Sequence, residues 1–199
     1  YASRKSVVIV GGRPAGAPGS GKTHTVNAYV AYLKSNGIEP AITASTGIAA
    51  THIGGSTIHS WCGIGIKSAL SRHELATILD NKRVTNRVKK AQVLIIDEIS
   101  MLSAETFQVV EQVCRAIRTS KVPGATQGLL PFGGLQVVLV GDFFQLPPII
   151  KPNSPKPAQL DFQDLDADTD QDITPFAFRT SAWEELDPVV CYLSEQHRQ

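Results

Sequence analysis

The chain has 199 residues, 42% of them apolar and 19% charged, and a formal net charge of only +1. Those values fit one soluble globular domain, or one and a small part, long enough to bury a core. They do not announce a nucleic-acid-binding protein, and no apolar run nears the length of a bilayer span.

Five β-branched runs punctuate the chain: "SVVIV" (6–10), "AITAS" (41–45), "VLIID" (93–97), "VVLVG" (137–141) and "VVCYL" (189–193). Each is nearly continuous in apolar residues, as expected of strands buried on both faces of a parallel sheet. After the first comes "GAPGSGKT" (16–23), a glycine-rich turn that opens a helix from Lys22 to Asn36, ended by Gly37. Backbone N–H groups of such a turn meet phosphates at a helix N-terminus. Gly16, Gly19, Ser20 and Gly21 are therefore candidate cradle residues. Lys22 offers a point charge to the β/γ-phosphates and Thr23 a hydroxyl to Mg²⁺. The extra residues "GGRPA" before Gly16 predict a bulged loop or a strand displaced by a few positions.

Further along, Ser71 and Glu74 form a capping-box pattern for a helix reaching about Asn81. Arg83, Arg87 and Lys90 recur at helical spacing beside Lys82 and Lys89, opposite Val84, Val88 and Ala91. That stripe suits either a track for a phosphate backbone or a solvated helix face. "VLIIDEIS" (93–100) delivers Asp97 to a strand end, where ligands bind in such sheets. Asp97 suits Mg²⁺, and Glu98 suits orienting or deprotonating a water. Ser103 caps a helix to about Arg118, and Ser181 with Glu184 caps a short one. Strand and helix alternate throughout, which argues for an α/β doubly wound fold.

Two stretches break the alternation and read as surface excursions. Residues 119–134 are Gly/Pro-rich, and residues 151–172 are Pro-rich and then acidic. In the second, Asp166-x-Asp168-x-Asp170 lacks the glycine and glutamate of a calcium loop, so a solvated acidic loop is expected. Cys62, Cys114 and Cys191 lie far apart, match no zinc or disulfide spacing, and fit a reducing compartment. Tyr1 in place of Met leads us to expect that the natural N-terminus, with any targeting segment on it, lies outside this sequence.

With "TASTGIAATHIGGSTIHSWCGIG" (43–65), "LIIDEISML" (94–102), "GDFFQLPP" (141–148) and "EQHRQ" (195–199), the chain resembles the PIF-type DNA helicases, 5′→3′ motors of superfamily I subgroup B. The match runs in family order from the cradle to the last residue. The resemblance implies a RecA-like P-loop NTPase domain, with a mostly parallel sheet flanked by helices. It implies ATP and Mg²⁺ as cofactors, with Lys22 and Thr23 in the cradle and Asp97 and Glu98 as the metal-holding and water-polarising acids. It assigns Gln145 and Arg198 to the γ-phosphate. Thr46 and Gly47 would touch single-stranded DNA at a helix start, and Thr57 to Trp61 would extend that surface. His59 and Trp61 offer faces for an unpaired base, with core packing equally open for Trp61.

A helicase of this type has two lobes, and this chain covers the first, so residues 1–199 are expected to be one ATPase lobe whose second lobe is missing. Also implied are DNA forks as partners, a monomeric state, no membrane, and roles in DNA repair, recombination and telomere maintenance. The compartment would be cytoplasm or nucleoid in a bacterium, nucleus or mitochondrion in a eukaryote. Two other readings stay open: a P-loop kinase, which would need a substrate lid with arginines, and an ATP-dependent DNA-binding switch without turnover.

Overall fold

In the computed structural model, residues 5–11, 21–119, 130–143 and 176–193 are described. The five predicted strands form as β1 (Val7–Gly11), β2 (Ala41–Ala44), β4 (Val93–Asp97), β5 (Gln136–Gly141) and β6 (Val189–Leu193), joined by a two-residue β3 (Ser56–Thr57). All pair in parallel, in the order β3-β2-β4-β5-β1-β6. Helices provide the crossovers: α1 (Lys22–Ser35), α2 (Gly47–His52), α3 (Ile58–Cys62), α4 (Arg72–Asp80), α5 (Lys82–Lys90), α6 (Ala104–Thr119) and α7 (Ser181–Leu186).

Alternate side chains of the central strands enter two separate cores. Val8, Val10, Leu94, Ile96, Val137 and Leu139 pack with α3 to α7 on one face. Ile9, Val93, Ile95, Val138 and Val140 pack with Val26 and Leu33 of α1 on the other. Hence β1, β4 and β5 read as unbroken apolar runs. The edge strand β6 departs from that expectation: Val189, Val190, Cys191 and Tyr192 are all exposed, and among the described residues β1 is its one paired strand.

The helix ends follow the sequence signals with one exception. Gly37, at φ 73°, closes α1 by donating to Lys34 O at 3.0 Å while Ile38 N donates to Leu33 O at 2.9 Å. Ser71 and Glu74 form the capping box of α4. The Ser103 hydroxyl accepts from Thr106 N at the start of α6. The short α7, however, is capped by Thr180, whose hydroxyl accepts from Trp183 N at 3.2 Å. Ser181 lies one residue too late to reach that amide and faces Gln108 instead.

The described end of the Gly/Pro-rich stretch is no surface excursion. Pro131–Gly134 forms a 3-10 turn beside α6, with Phe132 fully buried. The Phe132 ring lies 5.4 Å from that of Phe107, centroid to centroid. Its N–H donates to the buried Glu111 carboxylate at 3.1 Å. Arg118 donates to Gly133 O at 2.9 Å and also to Val88 O and Ala91 O, so one guanidinium satisfies both this turn and the last carbonyls of α5. The other stretch, 151–172, and the residues 12–15 before Gly16 lie outside the described residues.

Phe132→Ala is expected to destabilise the fold by about 3–5 kcal/mol, the range for removing a buried phenyl ring. Urea unfolding of wild type and variant measures it. A loss under about 1 kcal/mol would mean that the turn is an accessory to the core.

Candidate nucleotide and DNA site

Parallel pairing sends the C-terminal ends of β1, β2, β4 and β5 to one edge of the sheet. The residues that leave those ends build the site. After β1 the chain returns as Gly21, at φ 79°, whose carbonyl accepts from Thr25 N at 2.9 Å and Thr25 Oγ1 at 3.1 Å to start α1. Glycine is needed there because a side chain resists that left-handed backbone. Lys22 and Thr23 are the first two residues of α1. Gly16, Gly19 and Ser20 lie outside the described residues, as do Gln145 and Arg198.

Asp97 ends β4 and Glu98 follows it at φ 53°, ψ 46°. A left-handed glutamate costs about 1 kcal/mol or more, and such outliers gather at functional sites. Glu98 N donates to the Asp97 carboxylate at 3.0 Å, and Glu98 O accepts from Met101 N at 3.0 Å, which holds the sharp turn. Burial raises the Asp97 pKa, opposed by its own bond from Glu98 N and by the Lys22 charge. Glu98 is also raised, first by burial and then by the Asp97 charge, against Lys22 and with a smaller push from Asp142. The ammonium of Lys22 and three carboxylates therefore share one electrostatic neighbourhood.

Asp142, buried at the end of β5, is the site residue that the sequence reading left out. Its signal was present: "VVLVGD" is an apolar run delivering an acid to a strand end, the same pattern as "VLIID". Gly141 before it has no room for a side chain. An added Cβ would lie 2.8 Å from Ile99 Cγ2 and 3.2 Å from the backbone nitrogens of Ile99 and Ser100. The close approach of β5 to the Glu98 turn thus depends on a missing methyl group.

The DNA-side candidates stand on the same edge. Ser45 N, just after β2, donates to Asp97 O at 3.0 Å. Thr46 then caps α2, its hydroxyl accepting from Ala49 N at 3.3 Å, with Gly47 exposed beside it. Thr57 caps α3 by accepting from Ser60 N at 3.2 Å. Of the two readings open for Trp61, core packing is the one observed and the open stacking face is not: it is only 6% exposed and belongs to the main core. On a one-and-a-half-turn helix, Ile58, Trp61 and Cys62 turn inward together, which leaves His59 half-buried and Ser60 outside.

Burial lowers the pKa of His59 below its ordinary 6.5. Neutral His59 therefore contributes stability that is fully present above the unfolded pKa and is lost as the pH falls toward the folded one. Thermal unfolding between about pH 7.5 and about pH 5.5 should show a steeper loss of Tm for wild type than for His59→Asn. Parallel pH curves would remove the burial argument.

Residues 10–164 match the PIF1-like helicase family. The ATP-dependent DNA helicase Pif1 of Psychrobacter sp. is 45% identical over 184 residues, covering 92% of this chain and 24% of that protein. The Pif1 helicase of Candida albicans superposes with a TM-score of 0.76 at 31% identity, covering 99% of this chain and 38% of that one. A Bacteroides Pif1 in complex with ADP-AlF3 and single-stranded DNA gives 0.68 at 26% identity, over 99% and 40%. The chain thus spans about a quarter of the length of the Psychrobacter relative. Its RecA-like sheet and its motifs point the same way: this chain belongs to the PIF1-like helicases.

Proposed function

We propose that this chain is the nucleotide-binding lobe of an ATP-dependent 5′→3′ DNA helicase. The observation that carries the reading is the electrostatic neighbourhood shared by Lys22, at the start of α1, with Asp97 and Glu98 at the end of β4. Helicases of this family provide the activity by resemblance, and the Bacteroides relative, with both a nucleotide analogue and single-stranded DNA, provides the ligand classes.

The residues present fit Mg-ATP. Three carboxylates face one described ammonium, an imbalance that a divalent cation would relieve. Among the described residues no three His, Cys, Asp or Glu side chains form a closed metal cage. Magnesium does not require one, since it commonly takes one or two protein ligands plus phosphate oxygens and water. Thr23 and Asp97 would hold it, and when bound it would neutralise charge on the phosphates. Lys22 binds the β/γ-phosphates. Glu98, with its raised pKa, accepts the proton of the attacking water, and its left-handed turn fixes the carboxylate at the strand end. Gln145 and Arg198 are proposed to sense the γ-phosphate.

On the DNA side, Thr46 and Gly47 would meet the backbone of a single strand, and Thr57 and His59 would extend the contact. Trp61 would support that surface from within the core. A second lobe would close over the opposite wall of the nucleotide and move along the strand relative to this one.

Two variants of the full-length protein separate binding from chemistry. Lys22→Ala is expected to abolish tight Mg-ATP binding with the fold retained, because a partly buried residue at a helix start loses a phosphate charge and little packing. Glu98→Gln is expected to keep binding and to lose far more than tenfold in turnover, where tenfold corresponds to about 1.4 kcal/mol. Fluorescent-nucleotide titration and phosphate release measure the two effects. Equal nucleotide affinity in Lys22→Ala would remove the cradle assignment, and near-normal turnover in Glu98→Gln would reassign the base.

Residues 1–199 alone are expected to displace no strand from a duplex with a 5′ single-stranded tail. An arginine from a facing surface can be worth ~10³–10⁵ in rate, and one lobe has no partner to move against. Robust ATP-dependent displacement by this chain alone would sink the two-lobe reading.

A further inference from the structure

We infer that the exposed face of α5 is a second DNA contact, one that grips the phosphate backbone of duplex DNA. The inference rests on the helicase reading above but uses none of its site residues.

Charge is concentrated on this helix beyond what the fold requires. Its nine residues, "KRVTNRVKK", hold five of the 19 Lys and Arg residues of the chain and no acid. Val84 and Val88 are buried and turn the cations outward. Lys82, Arg83, Arg87 and Lys90 are all exposed. The ion pairs among the described residues lie elsewhere, so Lys82, Arg83, Lys89 and Lys90 have no carboxylate partner there. Of the acids on the helices that pack against α5, Glu74 is paired with Lys67 and Glu111 with Arg115. Asp80 and Glu105 are exposed and form none of those pairs.

The arrangement also works against the helix itself. Arg83 and Arg87 repel at one turn's spacing, which costs a few tenths of a kcal/mol. Lys82 and Arg83 sit at the positive end of the helix dipole. At the other end, Arg118 already satisfies the carbonyls of Val88 and Ala91, so the cations of the last turn are not needed as caps. A row of unpaired, mutually repelling cations is stabilised by an anionic ligand.

The geometry favours a phosphate backbone of duplex form. Arg83, Arg87 and Lys90 run over seven residues, about 10 Å at the helical rise. That length is enough to reach neighbouring phosphates of one strand, which rise about 3.4 Å each along the axis and lie farther apart along the winding strand. α5 carries no aromatic residue, so it offers no platform for unpaired bases, the feature that marks single-strand grooves. The Arg87 guanidinium also donates to Ser60 O, which fastens α5 to the segment proposed to touch the single strand. Duplex held on α5 would lie beside that segment.

The test uses the full-length protein and a short blunt duplex without a single-stranded tail. In K82Q/R83Q/K90Q three exposed charges are lost, while Arg87 keeps its bond to Ser60. Duplex affinity is expected to fall at least about tenfold, and the slope of log affinity against log salt to become shallower by about 2–3, at about 0.9 per phosphate contact. K82Q and K90Q alone should each remove about one such contact, and K82R/R83K/K90R should bind as wild type does. ATP turnover stimulated by single-stranded DNA should be unchanged in all of them. Unchanged duplex affinity and slope in the triple and single variants overturns the inference, and selective loss of binding to polyglutamate would then assign the face to an acidic protein. An equal loss of single-strand affinity and stimulated turnover overturns the duplex assignment. Absence of stimulated turnover in wild type instead counts against the helicase reading itself, so the two failures are distinct.

Discussion

Burial of β4 and β5 on both faces is the constraint on which the site depends. Leu94 and Ile96 face one core and Val93 and Ile95 the other, and Val137 to Val140 repeat the pattern. Such strands have little freedom to slip, because a one-residue shift would exchange every side chain between the two cores. Their ends are therefore fixed relative to each other, and with them Asp97, Glu98 and Asp142. The separation of β1 from β4 follows as well. With β5 between them, the Lys22 turn and the acidic pair stand across one strand's width rather than side by side. A gap of that kind suits phosphates and a cation, and Asp142 is the residue placed beneath it.

Against this fixed frame the site is costly. Glu98 is held in a left-handed turn, and both it and Asp97 are pushed toward the protonated state by burial. Gly141 gives up a side chain so that β5 can approach the turn. Ser45 and Ser100, on either side of the acids, carry buried hydroxyls with no partner among the described residues. None of these features helps the fold. They are tolerated because two apolar cores stabilise the sheet around them, a division of labour common at active sites.

How far the sequence could be read follows from this division. Strands and the helix start at Lys22 were legible because the signals are local: an apolar run bounded by turn residues, or a glycine before Lys22. The place of Asp97 and Glu98 at a strand end was legible for the same reason. What could not be read were choices made by tertiary packing. "PFGG" has the composition of a loop, yet Phe132 enters the core because Glu111 and Arg118 satisfy the backbone around it. Trp61 could face inward or outward until α3 was seen to be a short helix with Ile58 on the same side. Thr180 and Ser181 are both able caps, and only the position of the helix start decides between them. Asp142 was passed over although its pattern matched that of Asp97.

The position of β2 joins the proposed nucleotide and DNA contacts. It lies directly beside β4, with Ala44 in register with Asp97. The next residue, Ser45, donates its N–H to the Asp97 carbonyl, and Thr46 then begins α2. The proposed DNA contact is thus one residue from a backbone bond to the proposed metal-holding acid. A shift of Asp97 on nucleotide binding could not leave Thr46 unmoved unless that bond broke. Farther along, the Thr43 hydroxyl donates to Ile95 O at 2.7 Å inside the sheet, which stiffens the same pair of strands. Between the two proposed contacts the structure thus offers a short connection through two paired strand ends, with no extended pathway needed to link them.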